Sequence, residues 1–167
     1  MKEAIEVILH LIKDIPFFDC FTVNEIGALL EGGSWIKAKP DSRVVTQGET
    51  DFRMFILVMG HVEVVLNEKV IAVLGAGDIF GEVGLMGSPR MADVVTKTEC
   101  LILTFSADQL NDLPIELQLK LIRRILLVLV ARLQKLNVHE WLRLRKANAY
   151  LEGSETKVPS GNISDKK

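Results

Sequence analysis

Between Gly77 and Val95 the chain gathers the residue types that handle an anion. Gly81, Gly84 and Gly87 recur at every third position. Glycines at such spacing let the backbone come close to a ligand or turn its amides inward, and a run of inward amides forms an anion nest. Arg90 adds a planar fork matched to phosphate oxygens. Glu82 adds a carboxylate acceptor suited to a ribose hydroxyl. A nest, an arginine and a carboxylate together read as a site for a phosphate beside a sugar. The stretch lacks the Lys-Ser/Thr ending of a P-loop and does not lie between a parallel strand and a long helix, so ATP-type phosphates fit it poorly. No side chains pair as nucleophile and base, so no catalytic residue is assigned and an enzyme is not expected. His10, His61 and His139 have no mutual metal spacing, and no metal site is expected either.

The elements that must position these residues change character twice along the chain. Ile5, Ile8, Leu9 and Ile12 have helical spacing, ended by Pro16. Thr22-Val-Asn-Glu25 is a capping-box pattern, and Ile26, Leu29 and Leu30 then predict a short helix stopped by Gly32-Gly33. From about 34 to 105, short runs rich in Val, Ile and Phe predict strands: Arg43–Gln47, Met54–Val58, His61–Leu66, Val70–Leu74, Ala92–Thr96 and Leu101–Phe105. Glycines punctuate them, a pattern of antiparallel sandwiches or barrels rather than βαβ units. Ser106 begins a return to helix, with Asp108 as a nearby start signal.

From Pro114 to Leu151 there is no glycine and no further proline, which predicts one long helix over about 114–151. Leu119, Ile122, Leu126, Leu129, Leu133 and Leu136 repeat at alternating steps of three and four, a coiled-coil-like seam. Leu121, Ile125 and Val128 form a second stripe, placed to pack on the strands. A helix apolar on two faces needs two partners. One is its own domain, and the other is most simply a second copy, giving a homodimer through this C-terminal helix. Residues 152–167 hold no aromatic and few apolar residues and read as a disordered tail.

Composition sets the frame. The chain has 167 residues, 49% hydrophobic and 25% charged, enough for one domain with a sizeable core. Residues 1–112 carry nine Lys/Arg against seventeen Asp/Glu, whereas 113–151 carry eight against two. The basic helix raises a nucleic-acid reading, but a solvated face or pairing with the acidic body is the simpler account. Cys20 and Cys100 exclude a disulfide framework, read as buried free thiols, and fit the cytoplasm. The longest uninterrupted apolar run, Ile125 to Ala131, is far short of the roughly 20 residues of a membrane span.

The ordered combination Phe80-Gly81-Glu82, Leu85-Met86 and Pro89-Arg90-Met91-Ala92 resembles the phosphate-binding cassette of the cyclic-nucleotide-binding domain family, in the manner of catabolite activators and protein kinase A regulatory subunits. Gln47-Gly48-Glu49, Met54–Leu57 and Gly60–Val64 resemble that family's early strands, and Ile15–Phe18 resembles its N-terminal segment. The resemblance covers roughly residues 12–140. It implies an α+β, mainly β, fold over 1–151: an antiparallel β-roll or jelly roll with short N-terminal helices and a long C-terminal helix. It further implies that Arg90 pairs with a cyclic phosphate, that Glu82 accepts from the ribose 2′-hydroxyl, and that Gly81, Val83, Met91 and Ala92 offer backbone amides. Leu136 and Asn137 would lie near the purine.

No cofactor is implied beyond the ligand itself, cyclic AMP in preference to cyclic GMP, since Met91 has no hydroxyl to offer guanine. Only the short tail follows Leu151, with no room for a DNA-binding domain, so the chain is expected to be a free-standing sensor signalling through its helix, a homodimer or an effector protein. The alternative is a degenerate, nucleotide-independent dimeric scaffold. It is motivated by Met91, by Asp93 beside an anion site, and by a cassette about one residue shorter than in the kinase subunits.

Overall fold

The computed structural model describes Ile8 and residues 12–154. Ile8 and Ile12 are helical, and the rest of the first expected helix up to Leu11 lies outside the described residues. The chain then forms a 3-10 turn at Pro16–Phe18 and a helix, α1, at Val23–Gly32. The Thr22 signal holds in both directions. Its hydroxyl accepts from the Glu25 amide at 3.3 Å, and the Glu25 carboxylate accepts from the Thr22 amide at 2.6 Å.

Eight strands follow: β1 Ser34–Ala38, β2 Arg43–Val45, β3 Arg53–Met59, β4 Val62–Leu66, β5 Lys69–Leu74, β6 Ile79–Phe80, β7 Asp93–Thr96 and β8 Cys100–Ser106. They make two antiparallel four-stranded sheets, ordered β1-β8-β3-β6 and β2-β7-β4-β5. This is the expected α+β jelly-roll arrangement. Strand β2 ends at Val45, two residues before the expected Gln47, because Gln47 turns to give its amide to Asp93 at 2.7 Å. Strands β1 and β6 had no alternating run of their own to announce them. β1 is fixed by its pairing with β8, and β6 by two residues paired with β3.

Alternation along the strands builds the core between the sheets. Val45, Phe55, Leu57, Val62, Phe80, Val94, Cys100 and Ile102 face one another there, drawn from both sheets. Strand β8 is buried on its other face as well, where Leu103 and Phe105 close against Gly33 at the end of α1. The Thr104 hydroxyl is satisfied by donating to the Met54 carbonyl at 2.8 Å. Cys100 is buried as expected, but Cys20 is exposed, because it follows the 3-10 turn whose inward positions are taken by Phe17 and Phe18.

After β8, Ser106 caps helix α2, Ala107–Asn111, in a second capping box closed by Gln109. The long helix α3 runs over Ile115–Ser154. In its first turn the amides of Leu117 and Gln118 donate to the Pro114 carbonyl at 2.9 and 3.0 Å. It continues through Glu152, Gly153 and Ser154, so the expected tail from 152 onward begins three residues too early. A single glycine near a helix end costs only about 1 kcal/mol and does not stop it. Residues 155–167 lie outside the described residues.

The molecule divides into two compact units, one ending at Ile125 and one beginning at Leu126. Within the first, Leu117 and Leu121 of α3 are buried. Lys120 meets Glu25 at 2.6 Å, and Arg124 donates to the carbonyls of Phe17, at 3.0 Å, and Pro16. Among the described residues no helix is long and apolar enough to cross a membrane.

Candidate functional site

The glycine-rich stretch leaves β6 through Gly81, whose backbone is left-handed at φ 70°. A side chain there would be strained, and its Cβ would also stand 2.8 Å from both Arg90 Nη1 and the Phe55 ring. A 3-10 turn over Glu82–Met86 follows, and Gly87 closes it. Gly84 is buried inside this turn, where an added Cβ would meet the Asp51 carbonyl and Arg90 Nη1, each at 2.4 Å. Two glycines thus make room for one guanidinium.

That guanidinium is buried, with 5% of Arg90 exposed. The Arg90 backbone is pinned to the turn before β3, since Arg90 donates its amide to Glu49 at 2.9 Å and accepts from Gly48 at 2.8 Å. Its side chain donates from Nη1 to the Gly81 carbonyl at 2.6 Å and from Nη2 to the Arg53 carbonyl at 2.7 Å. Nη2 also lies 3.2 Å from Asp51 Oδ2. The guanidinium carbon stands 5.4 Å over the Phe55 ring, which stacks on Phe80 with centroids 5.0 Å apart. Among the described residues, the buried Arg90 Nε has no hydrogen-bond partner.

Asp51, Arg53 and Phe55 were not among the residues expected to build this site. Asp51 holds Arg53 side-on, accepting from Nε at 2.8 Å and Nη2 at 2.9 Å. Burial by itself would raise the Asp51 carboxyl, but hydrogen bonds from Arg53 and Arg90 outweigh it and hold the group below its ordinary value. The Arg53 guanidinium rises in turn, mainly through its hydrogen bonds to Asp51. An Asp two positions before an Arg at a strand start was the visible signal. Nothing in the spacing linked that pair to Arg90, 37 residues further on.

Of the expected ligand residues, Gly81, Glu82, Val83, Arg90, Met91 and Ala92 come together on this one loop system. Glu82, Gly81 and Ala92 are half-buried, Val83 is 40% exposed and Met91 is 74% exposed. The ion pair of Arg90 is with Asp51 and not with Glu82, so a purely structural Glu82–Arg90 bridge is not what organises the loop. Asp93 is tied down by the Gln47 amide and by Arg43 at 3.6 Å, so its charge has partners of its own. Leu136 and Asn137 belong to the second unit and are exposed. A groove of about 480 Å³ lined by Lys37, Ala38, Lys39, Met59, Glu99, Cys100 and Leu101 shares no residue with this loop system.

Residues 35–114 match the family model of the cyclic nucleotide-binding domain. The β-roll is a cyclic nucleotide-binding domain. A solved cyclic nucleotide-binding domain from Methylobacillus flagellatus is 28% identical, covers 80% of each chain and superposes with a TM-score of 0.69. The cAMP-dependent protein kinase regulatory subunit of Yarrowia lipolytica is 30% identical over 100 residues, which is 58% of this chain and 27% of that protein. The cGMP-dependent protein kinase of Plasmodium berghei is 31% identical over 87 residues, 52% of this chain and 10% of that protein. The chain therefore spans about a quarter or less of the length of these kinase relatives.

Proposed function

We propose that the chain is a cyclic-nucleotide sensor module whose Arg90 receives the cyclic phosphate and whose Glu82 accepts from the ribose 2′-hydroxyl. The observation that carries this reading is Arg90 itself, a buried guanidinium with Nε unpartnered, seated in the room that Gly81 and Gly84 leave by having no side chain. A buried charged donor without an acceptor is costly, and a phosphate oxygen is the acceptor its geometry suits. The turn that begins at Glu82 and the backbone of Met91 and Ala92 would supply amides to the same ligand. Leu136 and Asn137 would meet the purine in the liganded state.

Cyclic AMP is the preferred ligand over cyclic GMP, because Met91 offers no hydroxyl to a guanine amino group. The kinase relatives are named for one nucleotide each, so they do not favour either. The exposed seam Leu119, Ile122, Leu126, Leu133 and Leu136 supports a homodimer through α3, with output through that helix or an effector protein. A cytoplasmic location is part of this proposal, supported by the free thiols of Cys20 and Cys100, which suit a reducing compartment.

Calorimetry with each nucleotide tests the reading. Binding is expected for the wild-type chain and should weaken by roughly tenfold or more in Arg90→Ala, with Glu82→Ala weakening it through the ribose. No heat and no thermal stabilisation with either ligand at millimolar concentration would sink it. That result would favour the second reading, a nucleotide-independent dimeric scaffold. One feature supports the scaffold reading: both terminal nitrogens of Arg90 already meet protein oxygens.

A further inference from the structure

Arg53 stands next to the proposed phosphate contact: its carbonyl anchors Arg90 Nη2, and its side chain holds the residue that competes for Arg90. A guanidinium grips a phosphate side-on through Nε and the adjacent Nη2. On Arg90 that edge is contested, because Nη2 faces Asp51 Oδ2 at 3.2 Å while Nε has no partner. Asp51 does not take the edge fully. Both its oxygens are already drawn to Arg53, at the shorter distances of 2.8 and 2.9 Å. A carboxylate shared between two guanidiniums is held hardest by the shorter, side-on contact.

We infer that Arg53 is a positioning residue for the nucleotide site, which keeps the phosphate-binding edge of Arg90 open by occupying Asp51 without touching the ligand. The inference rests on the reading of Arg90 as the phosphate ligand. Loss of the Arg53 side chain would leave Asp51 free to swing onto Nε and Nη2 of Arg90 and close that edge. The Arg53 carbonyl, which receives Nη2 at 2.7 Å, survives such a change, so Arg90 keeps its backbone anchor. The Arg53 side chain is 44% exposed, so its removal opens no cavity in the core.

Two measurements on the full chain decide it. In the first, calorimetry with cyclic AMP and cyclic GMP compares wild type, Arg53→Ala, Asp51→Asn and the double variant. Arg53→Gln serves as a second form of the first change, and melting curves confirm that each variant folds. Arg53→Ala should bind roughly tenfold more weakly, and Asp51→Asn placed on top of it should restore the affinity of Asp51→Asn alone. In the second measurement, nitrogen NMR of the Arg90 guanidinium, assigned by its loss in Arg90→Lys, reads the clamp without any ligand. Rotation of the guanidinium should slow in Arg53→Ala and recover in the double variant. Weak binding that Asp51→Asn does not restore would mean that Arg53 serves the ligand or the fold directly, and would overturn the inference. So would unchanged Arg90 rotation in Arg53→Ala. If no variant, wild type included, gives heat with either nucleotide, the functional reading of the site fails, and the ligand-free spectra alone keep or overturn the Arg53 clamp.

Discussion

Phe55 and Leu126 are both large apolar side chains within regular secondary structure, yet Phe55 is fully buried and Leu126 is 58% exposed. The contrast extends to their surroundings. In the β-roll, strand β3 buries every residue from Met54 to Val58, using both faces of its sheet. Among the described residues of α3 only Leu117 and Leu121 are buried, while Leu119, Ile122, Leu126, Leu133 and Leu136 are more than half exposed. Two sheets folded over one another complete a core within one chain. A helix carrying a sustained apolar seam completes nothing until something covers it. The roll is therefore expected to be stable in its own right, and the helix seam to be where association is read out.

The sharpest way to break this contrast is to damage the roll. Phe55→Ala removes a ring that stacks on Phe80 and lies beneath two guanidiniums, Arg53 at 5.5 Å and Arg90 at 5.4 Å. A truncation of this kind in a closed core costs about 3–5 kcal/mol. Chemical denaturation should show that loss, and a loss below about 1 kcal/mol would mean the inter-sheet core is looser than its burial indicates.

Next in size is Gly84→Ala. Its methyl would press on the Asp51 backbone carbonyl, which cannot move as a flexible side-chain end can, and on the Arg90 guanidinium. Overpacking there should cost about 1–3 kcal/mol and displace Arg90, so nucleotide affinity should fall together with stability. Wild-type melting and wild-type affinity in this variant would show that the glycine cradle does not constrain the arginine.

These two sites also mark what the sequence could and could not tell. The glycines, Arg90 and Glu82 were visible as a cluster because they lie within one short loop, where spacing carries the information. The capping box at Thr22 was visible for the same reason, whereas at Ser106 only a helix start was legible and the box closed by Gln109 was missed. Asp51 and Arg53 were not visible as part of that cluster, because they join Arg90 only when the turn before β3 pairs with it across 41 residues, Glu49 to Arg90. Strand β6 was missed because two residues cannot show alternation. The end of α3 at Ser154 lies three residues past the expected 151, because Glu152, Gly153 and Ser154 carry no apolar periodicity to announce a helix.

The helix side of the contrast is tested by leaving the roll intact. Leu126→Glu combined with Leu133→Glu puts two charges on an exposed stripe, where surface changes shift stability by only about 0.5 kcal/mol or less. Sedimentation should show a dimer for the wild-type chain at tens of micromolar and a monomer for the variant. A wild-type monomer would remove the proposed role of the seam, and a dimeric variant would move the interface elsewhere.

The smallest effect expected concerns the join between the roll's N-terminal segment and α3. Glu25 meets Lys120 at 2.6 Å and also closes the capping box on Thr22. The Lys120 hydrogen bond, and after it the Thr22 amide, pull the Glu25 carboxyl down from 4.5 to about 2. A carboxyl whose folded pKa is depressed stabilises the fold fully above its unfolded value. That contribution fades as pH falls from about 4.5 toward about 2. Glu25→Gln keeps the cap, since glutamine serves the same position of the box, and removes only the charge. Asp51 also has a lowered pKa and pulls the same way, but it is present in both proteins, so the difference between their melting curves isolates Glu25. Wild type should lose more melting temperature than Glu25→Gln across that acid window, by a small margin because the pair is solvent-screened. Parallel curves would mean that Lys120 does not hold Glu25 in solution, and that the first turns of α3 rely on Leu117, Leu121 and the Arg124 contacts alone.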